Sequence, residues 1–205
     1  MPSIYDIKPK FQDLLRPLVK NLAKAGITAN QVTFSAILVS FIGGGTIVFF
    51  RQNEKILFII PLVLLVRMAL NAIDGMLARE FNMKTSLGAI LNELGDVFSD
   101  ITLYLPFALI NSLNGMCVLV IVLLSVISEM AGVVSVQIGA QRKYNGPMGK
   151  SDRAFVFGLI SLFIGFGLFT PRIYTIMLLL IIALLGLTIF NRISSALKEV
   201  NKHAV

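Results

Sequence analysis

Charge is scarce in this chain, and the scarcity bounds the fold class. Only 14% of its 205 residues are charged, against 56% hydrophobic, where a soluble domain carries roughly a quarter charged and about half apolar. The apolar surplus comes in blocks about 20 residues long, the length a helix needs to cross a bilayer. Six such blocks with their connections occupy nearly the whole sequence, which leaves no room for a separate soluble domain. Cysteine is almost absent. Cys117 stands alone inside an apolar run, which excludes an internal disulfide and reads as a small packing residue. The first 25 residues lack the apolar core of a cleavable leader, so the first span is expected to stay as an anchor. There is no internal repeat and no low-complexity stretch.

The expectation is an all-α integral membrane protein in one domain over 1–205. An amphipathic interfacial helix takes 1–28, a six-helix transmembrane bundle 30–194, and a tail 195–205. The spans are predicted at 30–50, 56–79, 87–110, 115–141, 154–169 and 174–190. In the first segment Ile7, Phe11, Leu14, Leu15, Leu18 and Leu22 recur at helical spacing, with Lys10, Asp13, Arg16, Lys20 and Lys24 between them. That pattern reads as a basic helix lying on the membrane surface, bent near Pro17. The net charge of +7 sits in the connections, so it points to the membrane and not to nucleic acid. Fourteen Lys and Arg fall on the side of both termini, and only Arg51, Lys55 and Arg172 on the other. Both termini are therefore expected in the cytoplasm, where basic residues also attract anionic headgroups. The Phe residues of the spans read as lipid-facing or packing groups, and His203 as solvated.

Ionisable residues inside spans are costly and usually mark function or pairing. The second span holds Arg67, Asn71, Asp74 and Arg79, the third Asn92, Glu93, Asp96 and Asp100, and the fourth Glu129. At about 100° per residue, Arg67, Asn71, Asp74, Gly75 and Ala78 share one face of their helix. Gly88, Asn92, Asp96 and Asp100 form a stripe at intervals of four. The two helices are antiparallel and joined by a short turn, so the faces can meet in a polar pocket near the cytoplasmic headgroups. Asn and Asp oxygens suit a hard divalent cation that bridges to phosphate; the alternative is a polar helix contact without metal. Gly75 and Gly88 remove bulk where a ligand or a neighbouring backbone approaches.

The stretch from Asn71 through Asp74-Gly75-Met76-Leu77-Ala78-Arg79, then Gly88, Asn92 and Asp96, resembles the signature of the CDP-alcohol phosphotransferases, D-x2-D-G-x2-A-R-x8-G-x3-D-x3-D. Every interval matches. Ala29-Asn30-Gln31-Val32-Thr33 resembles the P-N-x-x-T start of that family's first span, with Ala for Pro. The resemblance implies a bacterial-type inner-membrane enzyme, typically homodimeric, that displaces CMP from CDP-diacylglycerol or another CDP-linked lipid by attack of an alcohol hydroxyl. It implies that Asp74, Gly75, Ala78, Arg79, Gly88 and Thr33 hold the CDP moiety. It places Asn71, Asp74, Asn92 and Asp96 as metal ligands for one or two Mg²⁺ or Mn²⁺ ions, with Asp96 as catalytic base. Asn71 and Asn92 depart from the pattern, because each keeps a carbonyl oxygen and loses the charge. One ion, weaker metal binding or lost activity are the open consequences. Glu93 is a candidate to compensate, although it points about 100° away from Asn92.

Two further groups stand out. Arg67 precedes Arg79, Asp100 follows Gly88 and Glu129 precedes Gln141 by 12 residues each, so the three share a depth. They read as a buried Arg–carboxylate network or as part of acceptor binding. The connection 142–153 carries Arg142, Lys150 and Arg153, which read as positive-inside bias or as a site for an anionic hydroxyl acceptor such as an alcohol phosphate, with Arg153 reaching the pocket mouth. Rival readings of the chain are a non-catalytic relative that binds lipid or partner proteins, and a small transporter. The absence of inverted halves and paired broken helices counts against transport.

Overall fold

A computed structural model describes residues 4–203, with side chains from 9 to 202; the readings of Ile7 and His203 as side chains lie outside the described residues. Every regular element among the described residues is a helix: α1 (Ile4–Lys24), α2 (Ala29–Phe50), α3 (Ile60–Glu80), α4 (Ser86–Tyr104), α5 (Gly115–Val134), α6 (Lys150–Gly165) and α7 (Pro171–His203). Short 3-10 turns extend three of them, at Glu54–Ile59 before α3, Leu105–Leu109 after α4 and Ser135–Ile138 after α5. The stretches Ala29–Phe50, Glu54–Glu80, Gly115–Ile138 and Pro171–Lys202 are long and apolar enough to cross a membrane. Glu93, Asp96 and Asp100 lower the hydropathy of α4, and α6 has only 16 residues; both pack among the longer helices.

Local chemistry sets the ends. Thr28 caps α2 in a reciprocal pair with Gln31, and Thr85 caps α4 by accepting from Gly88 N at 2.9 Å. Between α3 and α4 the chain reverses through Asn82 at φ 55°, a left-handed position that asparagine tolerates better than most residues. The α6 helix starts at Lys150, four residues before the expected 154, because Asp152 accepts from Gly149 N at 2.9 Å and closes the first turn. The α7 helix runs on past 190 through most of the expected tail. No Pro or Gly interrupts it after Gly186, and its last turns still bury Arg192 and Ala196.

The α2 helix is apolar all round and leaves Phe34, Phe41, Ile42 and Phe49 exposed, as a lipid-facing helix does. Its inner side lies on α3 and α4. The approach is close: a Cβ on Gly44 would stand 1.9 Å from the carbonyl oxygen of Thr102, a small-residue contact typical of membrane helices. The main core gathers Ile47, Leu64, Leu103, Tyr104, Phe107, Phe157 and Leu178. Stacking of Tyr104 on Phe157, with ring centroids 4.3 Å apart, fixes α6 against α4. A second cluster at one end of the bundle joins α1 to α2 and α3 through Val19, Ala29, Val32, Ile73, Met76 and Leu77. Thus α1 does not lie on the bilayer alone. It packs Leu15, Val19 and Leu22 on the bundle while Leu14 and Leu18 stay exposed. It runs as one helix through Pro9 and Pro17, and Arg16 pairs with Glu80 at 2.7 Å.

Candidate active site

The polar faces of α3 and α4 meet as their spacing predicts. Asn71 Nδ2 donates to Asp96 Oδ1 at 3.3 Å, and Arg67 Nη2 donates to the Asp96 carbonyl oxygen at 3.3 Å. The α2 helix joins them. Thr33 Oγ1 donates to Asp74 Oδ2 at 2.8 Å and so fixes the orientation of a carboxylate that is only 4% exposed. The α4 start is tied to α2 as well, since Asn30 Nδ2 reaches Thr85 Oγ1 at 3.4 Å. Asn92 lies half-buried one turn before Asp96.

The two glycines serve different ends. A Cβ on Gly88 would stand 2.5 Å from Asn30 Oδ1 and 2.9 Å from Thr85 Oγ1, so Gly88 admits the neighbouring helix. A Cβ on Gly75 would meet only the Arg79 guanidinium, at 3.1 Å. Gly75 therefore keeps space open beside an exposed cationic side chain. Ala78 is half-buried and faces the cluster that holds α1.

The connection before α6 closes the pocket from the other side. Lys150 Nζ pairs with Asp96 Oδ1. Arg142 pairs with Glu93 and reaches Glu129 at 3.4 Å, with its guanidinium 4.1 Å from the centre of the Tyr144 ring. Glu93 is thus directed to Arg142. The expectation for Arg153 is corrected. It lies in the first turn of α6 but points into the protein, fully buried, and does not reach the pocket mouth.

Arg153 is the centre of an ionic network just deeper than the site. Its Nη2 lies 2.6 Å from Asp100 Oδ2 and 2.9 Å from Glu129 Oε1. Arg67 pairs with Asp100 at 2.6 Å, and Arg192 with Glu129 at 3.4 Å. The network read from Arg67, Asp100 and Glu129 is present, and Arg153 and Arg192 complete it. Arg192 is one of the fourteen basic residues counted to the side of the termini, and it is buried. The signal for burial was the stripe Thr188, Arg192 and Glu199, spaced by four and seven along α7. That face receives the connection from α5: Met148 N donates to Thr188 Oγ1 at 2.9 Å, Gln141 N donates to Glu199 Oε1 at 3.0 Å, and Lys143 pairs with Glu199.

The donor set bears on a metal. Asp74 and Asp96 supply two carboxylates, and the amides of Asn71 and Asn92 add neutral oxygens. Among the described residues no three His, Cys, Asp or Glu side chains converge on one point. Such a set fits one hard ion that completes its shell with water and substrate phosphate, and gives poor neutralisation to two.

The family model of the CDP-alcohol phosphatidyltransferases matches residues 26–198, which include every residue of this site. The chain belongs to that family. The inner membrane protein YnbA of Escherichia coli strain K12 is 48% identical over 158 residues, covering 77% of this chain and 78% of that one. An archaetidylinositol phosphate synthase of Pyrococcus horikoshii is 32% identical over 103 residues, covering 50% and 52%. Among solved structures, the phosphatidylinositol phosphate synthase of Mycobacterium tuberculosis with CDP-DAG bound has a TM-score of 0.74 at 19% identity, over 88% of this chain and 92% of that one. The same synthase in complex with manganese and citrate has a TM-score of 0.72 at 18% identity, over 88% and 87%. These likenesses establish the shared fold of a membrane-embedded phospholipid-biosynthesis family.

Proposed function

We propose that this chain transfers the phosphatidyl group of CDP-diacylglycerol to a hydroxyl acceptor and releases CMP. The observation that carries the reading is the joining of α2, α3 and α4 through Thr33 with Asp74 and Asn71 with Asp96, with Arg79 beside Gly75, within a family of such transferases. The acceptor oxygen attacks the phosphorus that bears diacylglycerol, the bond from that phosphorus to the CMP phosphate oxygen breaks, and CMP leaves with the electron pair. Asp96 takes the hydroxyl proton, a role that requires it within hydrogen-bond reach of the acceptor. Arg79, beside the open space at Gly75, faces the pyrophosphate as a charge-assisted donor. Thr33 positions Asp74. Asp74 and Asp96, with Asn71 and Asn92, hold a divalent ion, Mg²⁺ or Mn²⁺, which when bound supplies positive charge opposite the pyrophosphate.

Arg142 and Lys150 line the acceptor side and favour an anionic alcohol. Arg153 acts behind them as a positioning residue, through Asp100. In this reading all six hydrophobic segments span a bacterial-type inner membrane, both termini lie in the cytoplasm, and the protein is a homodimer. The lipid donor stays in the bilayer while the site opens at the headgroups.

The test incubates purified protein with CDP-diacylglycerol, Mg²⁺ or Mn²⁺ and a panel of alcohols and alcohol phosphates, and measures CMP and the lipid product. Metal-dependent CMP release with a new phospholipid is expected. No CMP above the metal-free control with any acceptor refutes catalysis and leaves a lipid-binding relative.

A further inference from the structure

We propose that the Lys150 ammonium is a resident cation of the site, and that it replaces one of the two divalent ions that a four-carboxylate signature would hold. The proposal deepens the synthase reading and rests on it for the use of that charge.

The starting point is the charge count on α3 and α4. Asn71 and Asn92 stand at two of the four signature aspartate positions, so only Asp74 and Asp96 bring negative charge. Glu93, a further carboxylate nearby, is directed to Arg142. Asp100 is directed to Arg67 and Arg153. Two divalent ions set against two carboxylates would leave half of their charge uncompensated by the protein, and cations crowded into a poorly hydrated site repel one another strongly.

Lys150 stands where a second cation would be needed. Its Nζ contacts Asp96 Oδ1, the same oxygen that accepts from Asn71 Nδ2 at 3.3 Å. One carboxylate oxygen is thus shared by a protein cation and by the amide that stands at a signature aspartate position. The substitution at position 71 suits this arrangement. An aspartate there would set two carboxylates against each other, whereas the asparagine N–H donates to Asp96 Oδ1.

The lysine does not wander into the pocket on a loose loop. It is the first residue of α6, whose start is capped by Asp152. One turn later Arg153 is locked between Asp100 and Glu129, and Phe157 is stacked on Tyr104. The backbone that carries Lys150 is therefore held by the core, and a long side chain from a fixed root can reach the pocket while its stem covers apolar surface. With one divalent ion the pocket keeps a net positive charge toward the pyrophosphate. A second ion would compete with the ammonium for Asp96. Lys150 is then a positioning and charge-setting residue for the donor, in addition to lining the acceptor side.

The test counts metal without turnover. Full-length protein in detergent, with CDP-diacylglycerol present, is titrated with Mn²⁺, and free Mn²⁺ is read by electron paramagnetic resonance. The wild type is expected to bind one Mn²⁺ per chain. Lys150→Ala removes the cation that competes for Asp96 and should bind Mn²⁺ about tenfold more tightly. Lys150→Arg, which keeps the charge, should stay near the wild-type affinity and confirms that the position tolerates change. The triple variant Asn71→Asp, Asn92→Asp, Lys150→Ala should bind two ions per chain. Two ions in the wild type, none in the wild type, or an unchanged affinity in a folded Lys150→Ala protein would each overturn the proposal. CMP release measured on the same samples separates this from the synthase reading. Two ions with CMP release refutes the resident cation alone, and one ion without CMP release refutes the synthase alone.

Discussion

Replacing Arg153 by methionine is expected to destabilise the protein more than any single change at the site itself. The guanidinium is fully buried and holds two carboxylates at once, Asp100 at 2.6 Å and Glu129 at 2.9 Å, while Nη1 donates to the Met148 carbonyl at 3.2 Å. Methionine keeps much of the apolar stem and removes the charge. Asp100 then has Arg67 as its remaining cation, and Glu129 has Arg192 and Arg142 at 3.4 Å. Breaking a buried ion pair by removal of one partner costs about 3–5 kcal/mol, because the survivor remains buried with its charge. Since each carboxylate keeps a second partner, the lower end applies, about 3 kcal/mol. On the scale of a soluble domain of this size, roughly 2–4 °C per kcal/mol, the melting temperature falls by about 6–12 °C. The assay is thermal unfolding in detergent followed by circular dichroism. Arg153→Lys keeps the charge, but a single ammonium lacks the fork that spans both carboxylates, so its loss is intermediate. Arg142→Met, whose pairs are partly open to solvent, is the control and should cost about 1 kcal/mol or less. A melting temperature for Arg153→Met within about 2 °C of wild type, less than 1 kcal/mol by the same scale, would show that the network carries little stability and that the argument from buried charge is wrong here.

Three further outcomes are expected. Gly75→Leu should abolish binding of CDP-diacylglycerol in a vesicle or detergent binding assay while the fold survives, because a side chain there meets only the flexible end of Arg79; unchanged binding would remove Gly75 from the donor site. Asp96→Asn should reduce CMP release by a factor of 100 or more, within the range of roughly 10²–10⁴ for loss of a general base, with the melting temperature nearly unchanged; full activity in folded protein would take Asp96 out of the mechanism. A cysteine introduced at Lys198, in a Cys117→Ala background, should react with impermeant maleimide only from the cytoplasmic side, and labelling of intact cells would reverse the orientation read from the basic residues.

The sequence by itself determined the class of the protein and the faces that matter. Apolar blocks with few charges fixed a helical membrane bundle, because an apolar environment requires every backbone group to be bonded within its own segment. The intervals of three and four between Arg67, Asn71 and Asp74, and of four from Gly88 to Asp100, fixed which side chains share a stripe. The helical period is a local property, so the pocket between α3 and α4 could be read from it. The match of intervals to a known signature was legible for the same reason.

What a side chain does across the gap to another helix is not a local property, and there only the tertiary structure decided. Sequence placed Arg153 at the pocket mouth and counted Arg192 among the basic residues of the cytoplasmic side. Burial of Asp100 and Glu129 draws both inward, because charge removed from water must be paired where it lies. Glu93, a candidate ligand by sequence, is directed to Arg142. Thr33 bonds Asp74 across from α2, a contact that its place in the sequence does not show. The meeting of Lys150 with Asp96, 54 residues apart, depends on how α6 is pinned to α4 by Tyr104 and Phe157. Local periodicity says which face a residue is on. Only packing between distant helices says what that face touches.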